Sequence, residues 1–432
     1  MKRPRTNTIL AFFSILIIIC PFAHAEFKEQ GELSFQTRAF RDDNKDTTED
    51  RAVGMFGRVD LTYAGTNVDK FTFRGYGVMD KKDSDRNFLI IEDCNVSWYL
   101  GEEEDKKFSL GYQLFNWTAT EVFHPVDVIN SRNLDSNMES PEKKGELAVE
   151  FTHEIGEGQL SFYFFPKAEK PHYPGTKSRL GAGIALEKPV WVKNHDHRST
   201  NGMTPQGAIR FTQTVDNADF SFHILHHLDR NLPIVEQNVV VHPVFLIPIA
   251  AYYTPYYFQV LQTGGTLQYA MDGWLFKLEA AYLDFRDDDV TISTSRGDRN
   301  PKDHTQTAFG VEYTMNHDNG TDSNFFLEGQ GIFGADTQRR AELSVFQKDI
   351  MFGWRLAFND AMGKELFAYV IRDIERKKET LFNFAYSQRL TDNWKIKTGL
   401  RVFRAPLKET LETGLEAYHR DSFVFLNVSR FF

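Results

Sequence analysis

The chain has 432 residues, with 60 acidic against 50 basic side chains and a net charge of −10, which excludes a nucleic-acid partner. Aromatic residues reach 14%, with 39 Phe and 16 Tyr, beside 25% charged residues, so the chain is rich in rings yet polar on average. Beyond Ile19 no apolar run approaches the ~20 residues of a membrane helix.

Lys2, Arg3 and Arg5 precede an apolar run from Ile9 to Ile19, and Ala23-His24-Ala25 has the small-x-small form of a cleavage site. Residues 1–25 therefore read as a secretory signal peptide. Cleavage before Glu26 leaves 47 basic and 60 acidic residues, net −13, and only Cys94, so no intramolecular disulfide forms.

From Glu26 onward the recurring pattern is apolar/polar alternation in short segments. "KFTFRGYGVM" (70–79), "KFSLGYQLFNW" (107–117), "QLSFYFF" (159–165), "WLFKLEAAYLDF" (274–285), "NWKIKTGLRVF" (393–403) and "SFVFLNVSRFF" (422–432) all show it. One face is Phe, Leu, Val, Tyr or Trp and the other is mixed, the signature of strands with two unlike faces. Short connections near 64–68, 101–106, 155–158, 216–218, 271–273, 317–322, 361–364 and 391–393 alternate with longer ones near 41–51, 80–87, 118–145, 167–206, 229–255, 287–305, 334–348, 377–379 and 404–420. Seventeen connections predict 18 antiparallel strands, within a range of 14–18. Short turns on one rim and long loops on the other describe an all-β, transmembrane barrel of the outer-membrane kind, in a single domain over 26–432. A β-sandwich does not need so many segments, and a propeller would repeat every ~40–50 residues, which this chain does not. An even strand count places both ends on the periplasmic side. Phe432, closing an alternating strand, resembles the assembly signal of barrels inserted by the outer-membrane barrel assembly machinery.

The connection after the fifth strand, 118–145, carries Val122, Phe123, Pro125, Val126, Val128 and Ile129. Apolar groups in a loop cannot face water freely, and a loop cannot lie in lipid. An inward fold, narrowing a lumen wide enough for water, is the remaining course. Trp117, Glu121, Phe123, Pro125, Asp127 and Asn130 are the candidate residues of that constriction. The position resembles that of the constriction loop of porins. "WTATEVFHPVDVIN", Trp117 to Asn130, resembles the Trp…Asp-x-Ile-Asn segment of a broad group of poorly characterised Gram-negative outer-membrane barrels. Thr118 stands where glycine is common there, and Ser131 where proline is. That resemblance implies periplasmic lipid-transport partners and large inner-membrane exporters.

The loop 167–206, with His172, His195 and His197, reads as a solvated surface loop. Residues 232–258, apolar and with four prolines, read as neither plain strand nor helix and as a binding or contact surface. In "SFHILHHLDR" (221–230), Ser221, His223 and His227 point inward, but neither an orienting third group nor an oxyanion site is identifiable. No catalytic residue, metal ligand set or cofactor site is assigned, and the chain is not read as an enzyme.

Alternation places Glu279, Glu312 and Glu328 on the inner wall as an acidic arc. It places Arg38, Arg58, Arg74, Arg355, Lys395, Lys397 and Arg401 as a basic arc opposite. The leading reading is an outer-membrane channel of a Gram-negative bacterium for small amphipathic, anionic or partly hydrophobic solutes. Such a solute would use the basic wall and the apolar loops near Phe123 and Phe245. The alternatives are a lipid or hydrophobic-compound conduit and a plugged structural or surface-binding barrel. Partners are membrane lipid, the assembly machinery and a small-molecule solute.

Overall fold

The computed structural model describes residues 26–41, 47–65, 68–136, 141–181, 184–194, 196–230, 233–241, 248–376, 379–405 and 413–432. The signal segment 1–25, His195 and Phe245 lie outside the described residues.

Eighteen strands run in order around one wall: β1 (Glu26–Phe40), β2 (Arg51–Ala64), β3 (Lys70–Asp80), β4 (Phe88–Leu100), β5 (Lys106–Gln113), β6 (Glu146–Ile155), β7 (Gly158–Phe165), β8 (Gln206–Val215) and β9 (Ala218–Leu228), then β10 (Pro248–Met271), β11 (Trp274–Phe285), β12 (His304–Asn316), β13 (Asp322–Phe333), β14 (Lys348–Ala357), β15 (Glu365–Asp373), β16 (Thr380–Arg389), β17 (Trp394–Arg404) and β18 (Phe423–Phe431). Each pairs antiparallel with its sequence neighbour. β18 returns to β1, from Phe431 opposite Glu32 to Phe423 opposite Phe40, and closes the barrel. Closure removes the unpaired edges that an open sheet would expose.

Local chemistry explains the tight rim. Asp272 and Gly273 have φ of 45° and 84° and join Met271 to Trp274 in a two-residue turn, whose twist matches that of the flanking strands. Glu26 lies opposite Ala64 and Arg430 opposite Trp394, so both described ends sit at the short-turn rim.

Side chains sort by face. On β11, Trp274, Phe276, Leu278 and Tyr282 are exposed, whereas Lys277, Glu279, Ala281 and Leu283 are buried. The outward apolar row continues around the wall through Leu33, Leu89, Phe162, Phe222, Leu267, Phe309, Leu327, Phe352, Phe382 and Val402. Tyr99, Tyr269, Trp274 and Trp394 are exposed near the short-turn rim, as the aromatic girdle of a membrane barrel requires. Among the described residues no helix is long and apolar enough to cross a membrane. The strands do so instead, because a closed barrel satisfies every backbone group without water.

Three segments depart from the sequence reading. β5 ends at Gln113, so Trp117 belongs to the following loop and not to the strand. The stretch read as neither strand nor helix is largely strand: Ile234–Val241 pairs with the outer half of β10, which is 24 residues long and continues past the wall. Pro248 opens that strand, and Pro255 precedes the point, Tyr256, where Val190–Lys193 joins on the other side. These are positions where a missing N–H is tolerated. The loop after β7 is not solvated throughout. Arg179, Trp191 and Val192 are buried in it, and Arg179 bridges Asp421 at 3.0 Å and Asp50 at 2.8 Å, tying three long loops together.

Candidate functional site

The connection from β5 to β6 leaves the sheet ladder, so its backbone N–H groups need other acceptors. Two buried carboxylates supply them. Glu279 of β11 accepts from the backbone N–H of Ala119 (2.5 Å), Thr120 (2.9 Å) and Val126 (3.3 Å). Glu328 of β13 accepts from Glu121 (2.5 Å) and Val122 (2.9 Å). Both carboxylates are 0% exposed and belong to the wall face opposite the outward apolar row. A buried charge is tolerated when hydrogen bonds surround it, and charge-assisted bonds are the strong ones. Lys277 adds an ion pair to Glu121 at 2.8 Å and a shorter one to Glu312.

The neck is stapled by Asn130. Its Nδ2 donates to the carbonyls of Gln113 and Lys144, both at 2.9 Å, and its Oδ1 accepts from the N–H of Phe115 at 2.8 Å. One amide thus joins both strands of the connection. Asp127 is clamped by Lys143 at 2.5 Å and Arg132 at 3.3 Å and accepts from the N–H of Trp117. Burial pushes its carboxyl up, but the two cations outweigh that and hold it below the usual carboxylate range. His124 lies 2.6 Å from the Thr118 hydroxyl, and burial lowers its pKa.

The apolar residues of the segment divide between two clusters. Trp117, Val126, Val128 and Ile129 pack with Tyr163, Phe165, Leu225 and Leu283 from β7, β9 and β11. Phe123 packs with Phe346, Met351, Ile371 and Leu415. Pro125 is buried between them in sequence, while the Glu121 side chain stays half exposed. Farther along, Asn133 reaches the Tyr76 hydroxyl of β3 at 3.2 Å, and Arg86 pairs with Asp135 at 3.5 Å.

The charged wall residues fall out differently from their expected arcs. Glu279 and Glu328 are covered anchors of the segment, and Glu312 is the partner of Lys277, so the three do not form an open acidic surface. In the basic set, Arg58 is paired with Glu92 (2.9 Å), Arg74 with Asp60 (2.7 Å) and Asp93 (3.7 Å), and Arg355 with Glu365 (2.5 Å). Three of the seven residues of the expected basic arc are thus ion-paired, because the register that aligns the arginines also brings acids from neighbouring strands beside them. Arg38 and Arg401 flank the Phe423 ring at 5.5 and 5.6 Å. Lys395 and Lys397 lie on the same face of β17, and among the described residues neither has an ion-pair partner.

Ser221 and His223 do not form a nucleophile and base. The Ser221 hydroxyl is paired with Thr266 at 2.8 Å, and His223 lies 3.2 Å from Gln262. Among the described residues no three His, Cys, Asp or Glu side chains gather as metal ligands.

Sequence reasoning missed Lys277, Arg210 and the clamp on Asp127. Lys277 was legible, since alternation puts it on the same face as Glu279. Arg210, whose guanidinium lies 5.0 Å from the Trp117 ring, was legible only as one inward position among many.

No family model and no curated protein matches the chain. Among solved structures, the chain is similar to variants of the porin of Rhodopseudomonas blastica. One has 12% identity and a TM-score of 0.43, over 94% of this chain and 100% of the porin. A triple mutant of that porin has 12% identity and a TM-score of 0.44 over the same shares. The closure of β18 on β1 and the outward apolar row, not this likeness, define the chain as a closed antiparallel membrane barrel.

Proposed function

We propose that the protein is an outer-membrane channel of a Gram-negative bacterium that passes small anionic, amphipathic solutes. The observation that carries this reading is an asymmetry inside the closed wall. The segment 114–145 is latched to β11 and β13 by Glu279 and Glu328 and held by Arg38 of β1 at Ser136, while Lys395, Lys397 and Arg401 stand on β17. The segment narrows the lumen, and solutes pass on its short-turn side, along Lys395 and Lys397 of β17. In a narrow low-dielectric passage such a wall raises the local anion concentration, and the planar guanidinium suits carboxylates. Export follows the signal segment, and Phe432 serves as the assembly signal. A lipid conduit would take up a labelled apolar solute into liposomes; this channel would not.

The test is the reversal potential in a salt gradient, wild type against Lys395→Glu plus Lys397→Glu. The expected result is a shift toward cations. It shrinks as salt shortens the screening length from ~30 Å at 0.01 M to ~10 Å at 0.1 M. A folded, conducting variant with unchanged selectivity would remove these lysines from the permeation path.

A further inference from the structure

Below the latched segment, on the side facing the short-turn rim, the inner wall holds a second feature that the latch does not use. A pocket of about 480 Å³ lies between the segment at Thr118 and the strands β7 to β10. This is within the ~300–1,000 Å³ of small-molecule sites. Arg210 of β8 lines it, with Thr212, Ser221, Thr266 and Gln268.

Arg210 differs from the paired arginines of the wall. Its guanidinium stacks on Trp117, and its Nε is buried without a hydrogen-bond partner. Among the described residues it has no carboxylate partner, whereas Arg58, Arg74 and Arg355 each have one. A half-buried arginine whose Nε is buried without a partner is costly unless an anion visits it. The opposite residue in the register is His223, which is buried and supplies no negative charge. Around the guanidinium the lining is neutral and polar: the Ser221–Thr266 hydroxyl pair, the Thr212 hydroxyl, and Gln268, which already donates to the carbonyl of Ala119. Glu154, Glu157 and Asp219 stand at the pocket's outer lining toward the turns. They repel anions in proportion to charge, so a singly charged solute is penalised less than a multiply charged one.

We infer that this pocket is a binding subsite for a small monocarboxylate with a hydroxylated body, whose carboxylate pairs with Arg210 while its hydroxyls meet Thr212, Ser221 and Thr266. This deepens the channel reading and rests on it for the direction of traffic. The binding itself is testable apart from conduction.

The experiment is calorimetric titration of the full chain in detergent with gluconate, and with sorbitol, which has the same carbon chain without the carboxylate. Wild type is expected to bind gluconate at least about tenfold more tightly than sorbitol, the scale of one charge-assisted hydrogen-bonded pair. Arg210→Gln should lose about that factor, and Arg210→Lys, which keeps the charge without the planar fork, should lose part of it. Ser221→Ala keeps the arginine and should weaken gluconate severalfold, which covers the case of an Arg210→Gln chain that does not fold. Equal binding of gluconate and sorbitol, or undiminished gluconate binding in folded Arg210→Gln, overturns the subsite. A wild-type chain that conducts salt but binds no gluconate overturns the subsite alone. One that binds gluconate but does not conduct overturns the channel reading alone.

Discussion

At the residue scale, Glu279 does the most for the segment it holds. Its carboxylate satisfies three backbone donors at once, and each buried donor left without an acceptor costs ~1–3 kcal/mol. Glu279→Ala is therefore expected to release the stretch 118–126, raise single-channel conductance and add low-frequency current noise, with the barrel still closed. Glu279→Gln keeps one carbonyl oxygen and should fall between the variant and wild type in planar-bilayer recordings. A second residue sets a pH dependence. Glu379, in the long-rim loop after β15, is buried beside Arg376, Glu416 and Asp373. Burial pushes its pKa up to about 7, and Arg376 only partly opposes this. A carboxyl raised in the fold holds a proton that the unfolded chain has already lost. Stability from this group is thus present at low pH, falls as pH rises from about 4.5 toward 7, and is flat above. Urea midpoints of the detergent-folded protein should show a decline over that range, and Glu379→Gln should make it shallower. His124 and His172, both lowered mainly by burial, act in the opposite sense and remain in both chains.

At the element scale, the β5–β6 connection and the outer half of β10 are built on different principles. The connection has no ladder along most of its length and depends on side-chain acceptors from distant strands, so it behaves as one unit. Deleting Glu121–Ser136 is expected to give a folded barrel with a larger single-channel conductance; an unchanged conductance would place the segment off the passage. The outer half of β10 is held by backbone pairing to Ile234–Val241 and Val190–Lys193. Arg179 adds a second tie, joining the β7–β8, β1–β2 and β17–β18 loops. Arg179→Ala removes this tie and should expose these loops to limited proteolysis while the wall resists. Cleavage fragments identified by mass spectrometry would show which loops open.

At the scale of the whole molecule, closure dominates. The β1–β18 seam joins residues nearly the full chain apart, so the barrel forms late and then unfolds as a unit. The protein is expected to sediment with outer membranes and to migrate faster on gels when unboiled than when boiled. Removing Phe432, whose backbone exchanges hydrogen bonds with Gly31 at 2.8 and 3.1 Å, takes the last rung from the seam. It should slow assembly, read as a smaller heat-modifiable fraction at early times after synthesis.

What the sequence determined by itself is local. Period-2 alternation and turn residues such as Asp272-Gly273 marked the wall strands and both rims, because side-chain direction and turn geometry are set within a few residues. Alternation also placed Glu279 and Glu328 on the inner face. Only the tertiary structure decided their partners. That Glu279 serves the backbone of residues 119–126, that Arg58 meets Glu92, and that Arg210 meets Trp117 all depend on strand register and on a loop crossing between distant strands. The prolines of 232–258 misled for the same reason. Whether a missing N–H breaks a strand depends on which neighbour stands at that position, and the neighbours of Pro255 come from segments 20 or more residues away. A one-residue change of register would redirect every such pairing, and register in a closed barrel is fixed by the ring as a whole.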